Sequence, residues 1–281
     1  MSITESKLTN EVTKWAVPRP RRTQLASFAD SERRRLDDRG ERVCPSISVV
    51  IPALNEERNL PRVLEQMPDI VDEVVVVDGN SSDYTVEAAL KVVPQAKIVR
   101  QPGRGKGDAL RAGFSVCSGD AIVMLDGDGS MSPSEIPRFM EALISGAEFA
   151  KGSRFLPQGG SDDFSAIRRL GARGLRTIFN IAYDVSHTDL CYGYAAFWRR
   201  TLDQLTIDRN GFEVETLLMI RTAQNGLRVC EVPSFEHPRE YGKSNLRVFH
   251  DGLSILRVIL AERAPTRADS ALRPVLKAAD A

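Results

Sequence analysis

Asp126 and Asp128 stand one glycine apart at the end of the apolar run "AIVML". Two carboxylates this close repel, and each raises the other's pKa unless a cation lies between them. Mg²⁺ and Mn²⁺ take oxygen ligands of this kind and share them with substrate phosphates. Gly127 between them lets the chain turn and a ligand approach closely. Alone, Asp-Gly-Asp is a surface turn; at the end of a buried strand it points to a metal–diphosphate site. Asp78 closes a second apolar run, "VVVVDGNSSD". A carboxylate there accepts hydrogen bonds from a nucleobase N–H or a ribose hydroxyl, or belongs to the turn that opens the next helix, with Ser81, Ser82 or Asp83 as caps. Both roles are compatible. Lys106 lies in the basic, glycine-rich stretch "QPGRGKGDALRAG", which fits neither G-x-x-x-x-G-K-[ST] nor G-x-G-x-x-G. It reads as a loop opening a helix near phosphates.

The elements that position these residues follow from periodicity. "ISVVIPAL" is a continuous apolar run, as expected for a strand covered on both faces. "NEERNLPRVLEQM" has helical spacing, with Asn55 as candidate N-cap. Strand and helix then alternate through "DEVVVVDGNSS", "DYTVEAALKVV", "AKIVRQ", "GKGDALRAGFSVC" and "GDAIVMLDGDG". This alternation predicts an α/β fold with a mostly parallel sheet, whose ligands bind beyond the carboxyl ends of the strands. Asn55-Glu56, Asp78 and Asp126/Asp128 all fall at such ends. In the second half, "EFAKGSRFL" and "LRVCEVPSFEH" read as strands. Helices are expected over "SAIRRLGARGLRTIFNIAY", "FEVETLLMIRTAQNG" and "NLRVFHDGLSILRVILAER". The first has an apolar stripe of Ile167, Leu170, Gly174, Ile178 and Ile181, with arginines on another face. The stripe suits an anionic membrane surface, the domain core or a second subunit. In the last helix the stripe is Leu246, Phe249, Leu253, Leu256 and Leu260.

The 281 residues carry 38 Lys+Arg and 38 Asp+Glu. Balanced charge does not select a polyanion partner, and no nucleic-acid ligand is expected. Cys44, Cys117, Cys191 and Cys230 form no C-x-x-C pair and read as buried free thiols of a reducing compartment. His187, His237 and His250 lack metal-ligand spacing. Neither a signal-peptide core nor an apolar run of ~18 residues is present, which predicts a cytoplasmic protein with at most peripheral membrane contact. Residues 1–44 are polar and charged and read as a flexible tail. Residues 45–262 form the expected domain, with a nucleotide-binding half over about 45–130 and an acceptor half over about 131–262. Residues 263–281 read as a C-terminal tail.

"VVIPALNEERNL", "VVVVDGNSSDYT", "GRGKGDALRAGF", "MLDGDGSMSP", "AKGSRF", "TDLCYGYAAFWRR" and "GFEVETLL" occur in the order seen in family 2 glycosyltransferases. Over about residues 46–262 the chain most resembles the dolichyl- and polyprenyl-phosphate hexosyltransferase branch. The resemblance implies a GT-A fold and an inverting, Mg²⁺- or Mn²⁺-dependent transfer from a nucleotide sugar. It places Pro52, Asn55, Glu56 and Asp78 at the nucleoside, and Asp126 and Asp128 at the metal and diphosphate. Lys106 joins the nucleotide-sugar ligands, Arg154 lies near the diphosphate or sugar, and Asp189 lies by the sugar and acceptor. Arg239 and Ser244 approach the phosphates. The chain departs from the family in having Asp78-Gly79 for a common aspartate pair, "GYAAF" for "GFRAF", and no C-terminal transmembrane helices.

Departure of a nucleoside diphosphate builds negative charge, which a metal at Asp126/Asp128 and the cations Arg154, Lys243 and Arg239 offset. A hydroxyl acceptor needs a base, whereas a lipid phosphate is already ionised. The second half has Glu213 and Glu215 but no Glu-Asp pair. The expectation is therefore hexose transfer from UDP-glucose or GDP-mannose to a polyprenyl phosphate. The alternative is a soluble hydroxyl acceptor, with Glu213 as the catalytic base unless it merely complements a helix dipole. A non-catalytic nucleotide-sugar-binding protein is the remaining class. A homo-oligomer is compatible with any of them.

Overall fold

β1 (Ile47–Ala53) runs parallel to β2 (Glu73–Asp78) on one side and to β4 (Ala121–Met124) on the other, with Ala53 opposite Asp78 and Val50 opposite Met124. β3 (Lys97–Arg100) extends the sheet beyond β2. The computed structural model describes residues 45–242 and 248–263. The expected N-terminal tail, residues 264–281, Cys44, Lys243, Ser244 and Leu246 lie outside them.

Between these strands lie α1 (Leu60–Glu65), α2 (Thr85–Val92) and α3 (Lys106–Val116). α1 begins later than expected. Asn55 is not its cap: it takes the left-handed conformation at φ 57°, and its Oδ1 accepts from Ser82 N and Oγ. Pro61 explains the late start, because its ring fits the first turn of a helix and not its interior.

The second half completes the same sheet. β5 (Phe149–Ser153) and β8 (Val229–Pro233) are parallel, and β7 (Ala195–Trp198) enters antiparallel between β4 and β5. The order is β3-β2-β1-β4-β7-β5-β8, and β6 (Gly160–Ser161) pairs with β9 (Phe235–Glu236) in a small separate ribbon.

Alternate strand residues point to two cores. Val49, Ile51 and Val76 pack with α1, α2 and α4 (Ile136–Ile144). Val50, Val75 and Val77 pack with α3, α5 (Ala166–Tyr183), α6 (Val214–Gln224) and α7 (Val248–Ala261).

The apolar stripe of α5 turns outward, and that of α7 does so at Leu253 and Leu260 but not at the half-buried Leu256. Ile167, Leu170, Ile178 and Ile181 are exposed, and Phe179 anchors α5. On α7, Leu253 and Leu260 are exposed while Ile255, Val258 and Ile259 are buried. Both helices have apolar residues on more than one face, so periodicity alone does not select the inner one. Among the described residues no helix is long and apolar enough to cross a membrane.

Candidate active site

Because β1, β2 and β4 are parallel, their carboxyl ends share one edge, and Asp126 follows β4 there. Gly129, at φ 80°, turns the chain back, and Ser130 N donates to Asp128 Oδ1 at 2.9 Å.

Lys106 opens α3 and reaches this edge from the opposite core. Its Nζ lies 2.6 Å from Asp126 Oδ1 and 2.6 Å from Glu215 Oε1. The glycines beside it serve packing. A Cβ on Gly107 would fall 2.1 Å from the carbonyl oxygen of Arg209, and one on Gly105 would fall 2.1 Å from that of Asn210. Gly107 N donates to Asn210 O at 2.9 Å, and Arg111 Nη1 donates to Ile207 O at 3.1 Å. The loop read from sequence as opening a helix near phosphates is thus bolted to residues 207–211, and it brings Arg104, Gly105 and Lys106 to the cavity wall.

Arg239 closes the site from the far end of the chain. Its Nη2 lies 2.6 Å from Asp128 Oδ2 and its Nη1 lies 3.1 Å from Glu56 Oε1. Asn59 holds both sides of this clasp: Nδ2 donates to Glu56 Oε2 at 2.6 Å and to Tyr241 O at 3.1 Å, and Oδ1 accepts from Tyr241 N at 3.2 Å. The guanidinium of Arg58 stacks on the Tyr241 ring, 3.7 Å from its centroid.

A second cluster is buried beside the first. Arg154, at the end of β5, donates to Asp189 through Nε (2.7 Å), Nη2 (3.0 Å) and the backbone N (3.2 Å). Its Nη1 donates to Glu236 Oε2 at 3.1 Å, and the guanidinium lies 4.6 Å from the Tyr192 ring centroid. Lys151 is buried in the same strand and donates to the Tyr192 carbonyl.

Burial and charge set the ionisation here. Burial pushes Asp126 up to about 6, against the pull of Lys106 and with the push of Asp128 and Glu215. Burial also acts to raise Asp128, but Arg239 and the Ser130 hydrogen bonds outweigh it and hold that carboxyl low. Glu56 is raised by burial despite Asn59 and Arg239. For Asp189 burial works upward, and Arg154 overcomes it.

These groups line a cavity of about 1210 Å³. Of the residues singled out from sequence, Pro52, Glu56, Lys106, Asp126, Asp128, Arg154 and Arg239 are on its wall. Gly79 and Asn80 line it where Asp78 does not; Asp78 sits just behind, its Oδ1 accepting from Ser81 N at 3.0 Å. Asn55 and Asp189 are also off the wall, the latter fully enclosed against Arg154. Glu213 is off the wall as well: its carboxylate turns back to Gly211 N at 3.3 Å, and Glu215 faces the cavity. Among the described residues no group of three His, Cys, Asp or Glu side chains is arranged to hold a metal. Two aspartates suffice for Mg²⁺ or Mn²⁺ when substrate phosphates and water complete the shell. The ion-pair chains agree: Glu215–Lys106–Asp126 and Asp128–Arg239–Glu56 set four carboxylates against two cations. The deficit equals the charge of one divalent ion.

Residues 48–206 match the family described as glycosyl transferase family 2. The chain belongs to glycosyl transferase family 2. Within that family it is 31% identical over 216 residues to the polyprenol monophosphomannose synthase of Mycolicibacterium smegmatis, covering 70% of this chain and 80% of the relative. It is 31% identical over 212 residues to the undecaprenyl-phosphate mannosyltransferase of Micrococcus luteus, covering 71% and 87%. Among solved structures, a glucosyl-3-phosphoglycerate synthase from Mycobacterium tuberculosis in complex with Mn²⁺, UDP-glucose and phosphoglyceric acid superposes with a TM-score of 0.66. That pair is 23% identical over 88% of this chain and 86% of the other. The chain is a glycosyltransferase with the GT-A fold expected of the family.

Asn59, Tyr241, Glu215 and Glu236 complete these two clusters, and none of them was singled out as a ligand from sequence. Glu215 is 109 residues from Lys106 and Tyr241 is 182 from Asn59, so no local pattern announces either contact. One signal was available: a lysine inside a folded domain needs anionic partners, and "FEVET" offers two.

Proposed function

We propose that this glycosyltransferase moves a hexose from a nucleotide sugar to a polyprenyl phosphate. The observation that carries the reading is the state of the carboxylates on the cavity wall. Asp126 and Glu215 are bound to Lys106, Asp128 and Glu56 to Arg239, Glu236 to Arg154, and Asp163 to Arg168, each within 3.1 Å. The seventh, Asp251, contacts His250 at 3.0 Å. An adjacent cation favours the ionised carboxylate and weakens it as a base; burial works the other way at Asp126 and Glu56, but their oxygens are engaged by Lys106 and Arg239 rather than open to a substrate hydroxyl. A wall of this kind suits a nucleophile that arrives ionised, as a phosphate monoester does, better than a hydroxyl that must lose a proton.

The acceptor side fits the same reading. Ile167, Gly171, Leu175, Ile178 and Ile255 line the cavity that also holds Asp126 and Asp128, giving an isoprenoid chain an apolar wall close to the diphosphate. α5 carries four arginines and no acidic residue in 18 positions, and its outward Ile167, Leu170 and Ile181 are 66–78% exposed. An apolar stripe edged with arginine suits the headgroup region of an anionic bilayer. Leu253 and Leu260 of α7 add to that surface. The names of the two mannosyl-transferring relatives support mannose as the sugar, with UDP-glucose as the other donor to test.

In the reaction, Glu56 and the walls at Gly79 and Asn80 receive the nucleoside, and Arg239 and Lys106 turn toward the diphosphate. Asp126 and Asp128 would hold Mg²⁺ or Mn²⁺, which supplies electrostatic stabilisation to the leaving diphosphate. Arg154, fixed by Asp189 and Glu236, presents positive charge beside the sugar. The acceptor phosphate oxygen attacks the anomeric carbon from the face opposite the leaving group.

Calorimetry with GDP-mannose and UDP-glucose, with and without Mn²⁺, tests the donor half. Binding of one donor that requires Mn²⁺ and is lost in Asp128→Ala supports the reading. Equal binding by the variant, or none by the folded wild type, removes its basis.

A further inference from the structure

Glu215 touches neither Asp128 nor Arg239, yet it holds the other end of the ammonium that sits on Asp126. We infer that Glu215 is a positioning residue that sets metal affinity by drawing Lys106 off Asp126. The inference rests on the metal reading above.

The geometry is a shared cation. Lys106 Nζ stands 2.6 Å from one oxygen of each carboxylate, so its charge is divided between them. A divalent ion arriving at Asp126 must compete with that ammonium. With Glu215 in place, Lys106 keeps a full-strength partner when Asp126 turns to the metal, and the ammonium stays at the cavity wall beside the diphosphate. Without Glu215, the buried ammonium has Asp126 as its one carboxylate partner at hydrogen-bond distance among the described residues, and a metal would have to strand it. Stranding a buried charge is costly, so the exchange becomes unfavourable.

The surrounding packing is cut to this arrangement. A Cβ on Gly193 would fall 2.7 Å from Lys106 Nζ and 2.8 Å from Glu215 Oε1, so glycine is the residue that leaves room for the pair. The lysine cannot retreat along the chain, because the α3 terminus is pinned at Gly107 to Asn210. Glu215 lies in the first turn of α6, beside the fully buried Val214 and Thr216–Ile220. The lysine is therefore held where it meets both carboxylates at once.

The test is Mn²⁺ binding to donor-free protein, read from the electron paramagnetic resonance signal of free Mn²⁺, in wild type, Glu215→Gln, Lys106→Met and the double variant. Thermal melts confirm that each is folded. Glu215→Gln is expected to weaken Mn²⁺ binding by at least about fivefold, the lower end of ordinary site-to-site coupling. Lys106→Met is expected to bind at least as tightly as wild type, and the double variant to return to the Lys106→Met value. That rescue separates an effect through Lys106 from a general disturbance of α6. Gly193→Ala, which crowds the same pair without changing charge, should also shift Mn²⁺ affinity. If Glu215→Gln binds Mn²⁺ like wild type, or if removing Lys106 does not restore the loss, the inference is overturned while the metal site stands. If wild type binds no Mn²⁺ on its own, the same comparison is made with GDP or UDP present, since substrate phosphates complete the shell; if it binds none there either, the metal reading falls and the inference falls with it.

Discussion

Asp189→Asn separates a structural aspartate from a chemical one. Asp189 is 1% exposed and takes three hydrogen bonds from Arg154. The substitution keeps the volume, removes the charge and turns an amide N–H toward the guanidinium. Breaking one side of a buried ion pair costs about 3–5 kcal/mol. Arg154 keeps Glu236 and the Cys191 carbonyl, which places the loss near the lower bound, about 3 kcal/mol. For a domain of this size that is roughly a 6–12 °C fall in melting temperature. Thermal and urea unfolding measure it, and a double variant, Arg154→Met with Asp189→Leu, should recover only part of the loss, because it leaves Glu236 with the Ser161 hydroxyl in place of its cation. Sugar transfer by Asp189→Asn should fall as well, through a displaced Arg154. An unchanged melting temperature with transfer lost a thousandfold would refute the reasoning and make Asp189 a participant in the chemistry.

Gly107→Ala should destabilise by roughly 2 kcal/mol or more, because the new methyl meets a backbone oxygen that cannot rotate away; urea unfolding of the variant measures this. Leu170→Glu with Ile181→Glu should abolish co-sedimentation with phosphatidylglycerol-containing vesicles while leaving the melting temperature within about 1 °C, since both side chains are already exposed. Glu73 gives a pH dependence: hydrogen bonds from Lys97, Ser48 and Ser118 outweigh burial and draw its carboxyl down to about 2. Its stabilisation is present above the ordinary glutamate pKa and lost as pH falls toward 2. Glu73→Gln should therefore cost roughly 1–2 kcal/mol at pH 7, allowing for solvent screening, and progressively less below pH 4.

Much of the nucleotide half was legible because its strands are covered on both faces. "ISVVIPAL" and "DEVVVVDG" admit few other readings, and their ends fix where Glu56 and Asp78 must fall. The second half was less legible. β7 is four residues, Ala195–Trp198, too short for periodicity to single out, and its antiparallel entry depends on pairing with β4 and β5. The inner faces of α5 and α7 were left open by the sequence, because both helices carry apolar residues on two sides. Glu213 was named as the base for a hydroxyl acceptor, with a helix-dipole role as its competing reading, whereas the side chain that reaches the cavity is Glu215, decided by where α3 delivers Lys106. The glycines around Lys106 matched no phosphate-loop motif yet suggested a loop near phosphates, because close backbone approach needs the same residue whether the neighbour is a phosphate or the carbonyls of Arg209 and Asn210.

The central claim is transfer of a hexose to a lipid phosphate, and one assay reaches it directly. The protein is incubated with Mn²⁺, undecaprenyl phosphate in detergent, and GDP-mannose or UDP-glucose labelled in the sugar, and label is followed into the organic phase. The account predicts organic-soluble label that depends on Mn²⁺ and the lipid phosphate, is lost in Asp128→Ala, and is released as free sugar by mild acid, as a glycosyl phosphate should be. Absence of lipid-linked label, with the same donor consumed only when a soluble hydroxyl acceptor is supplied, would contradict it.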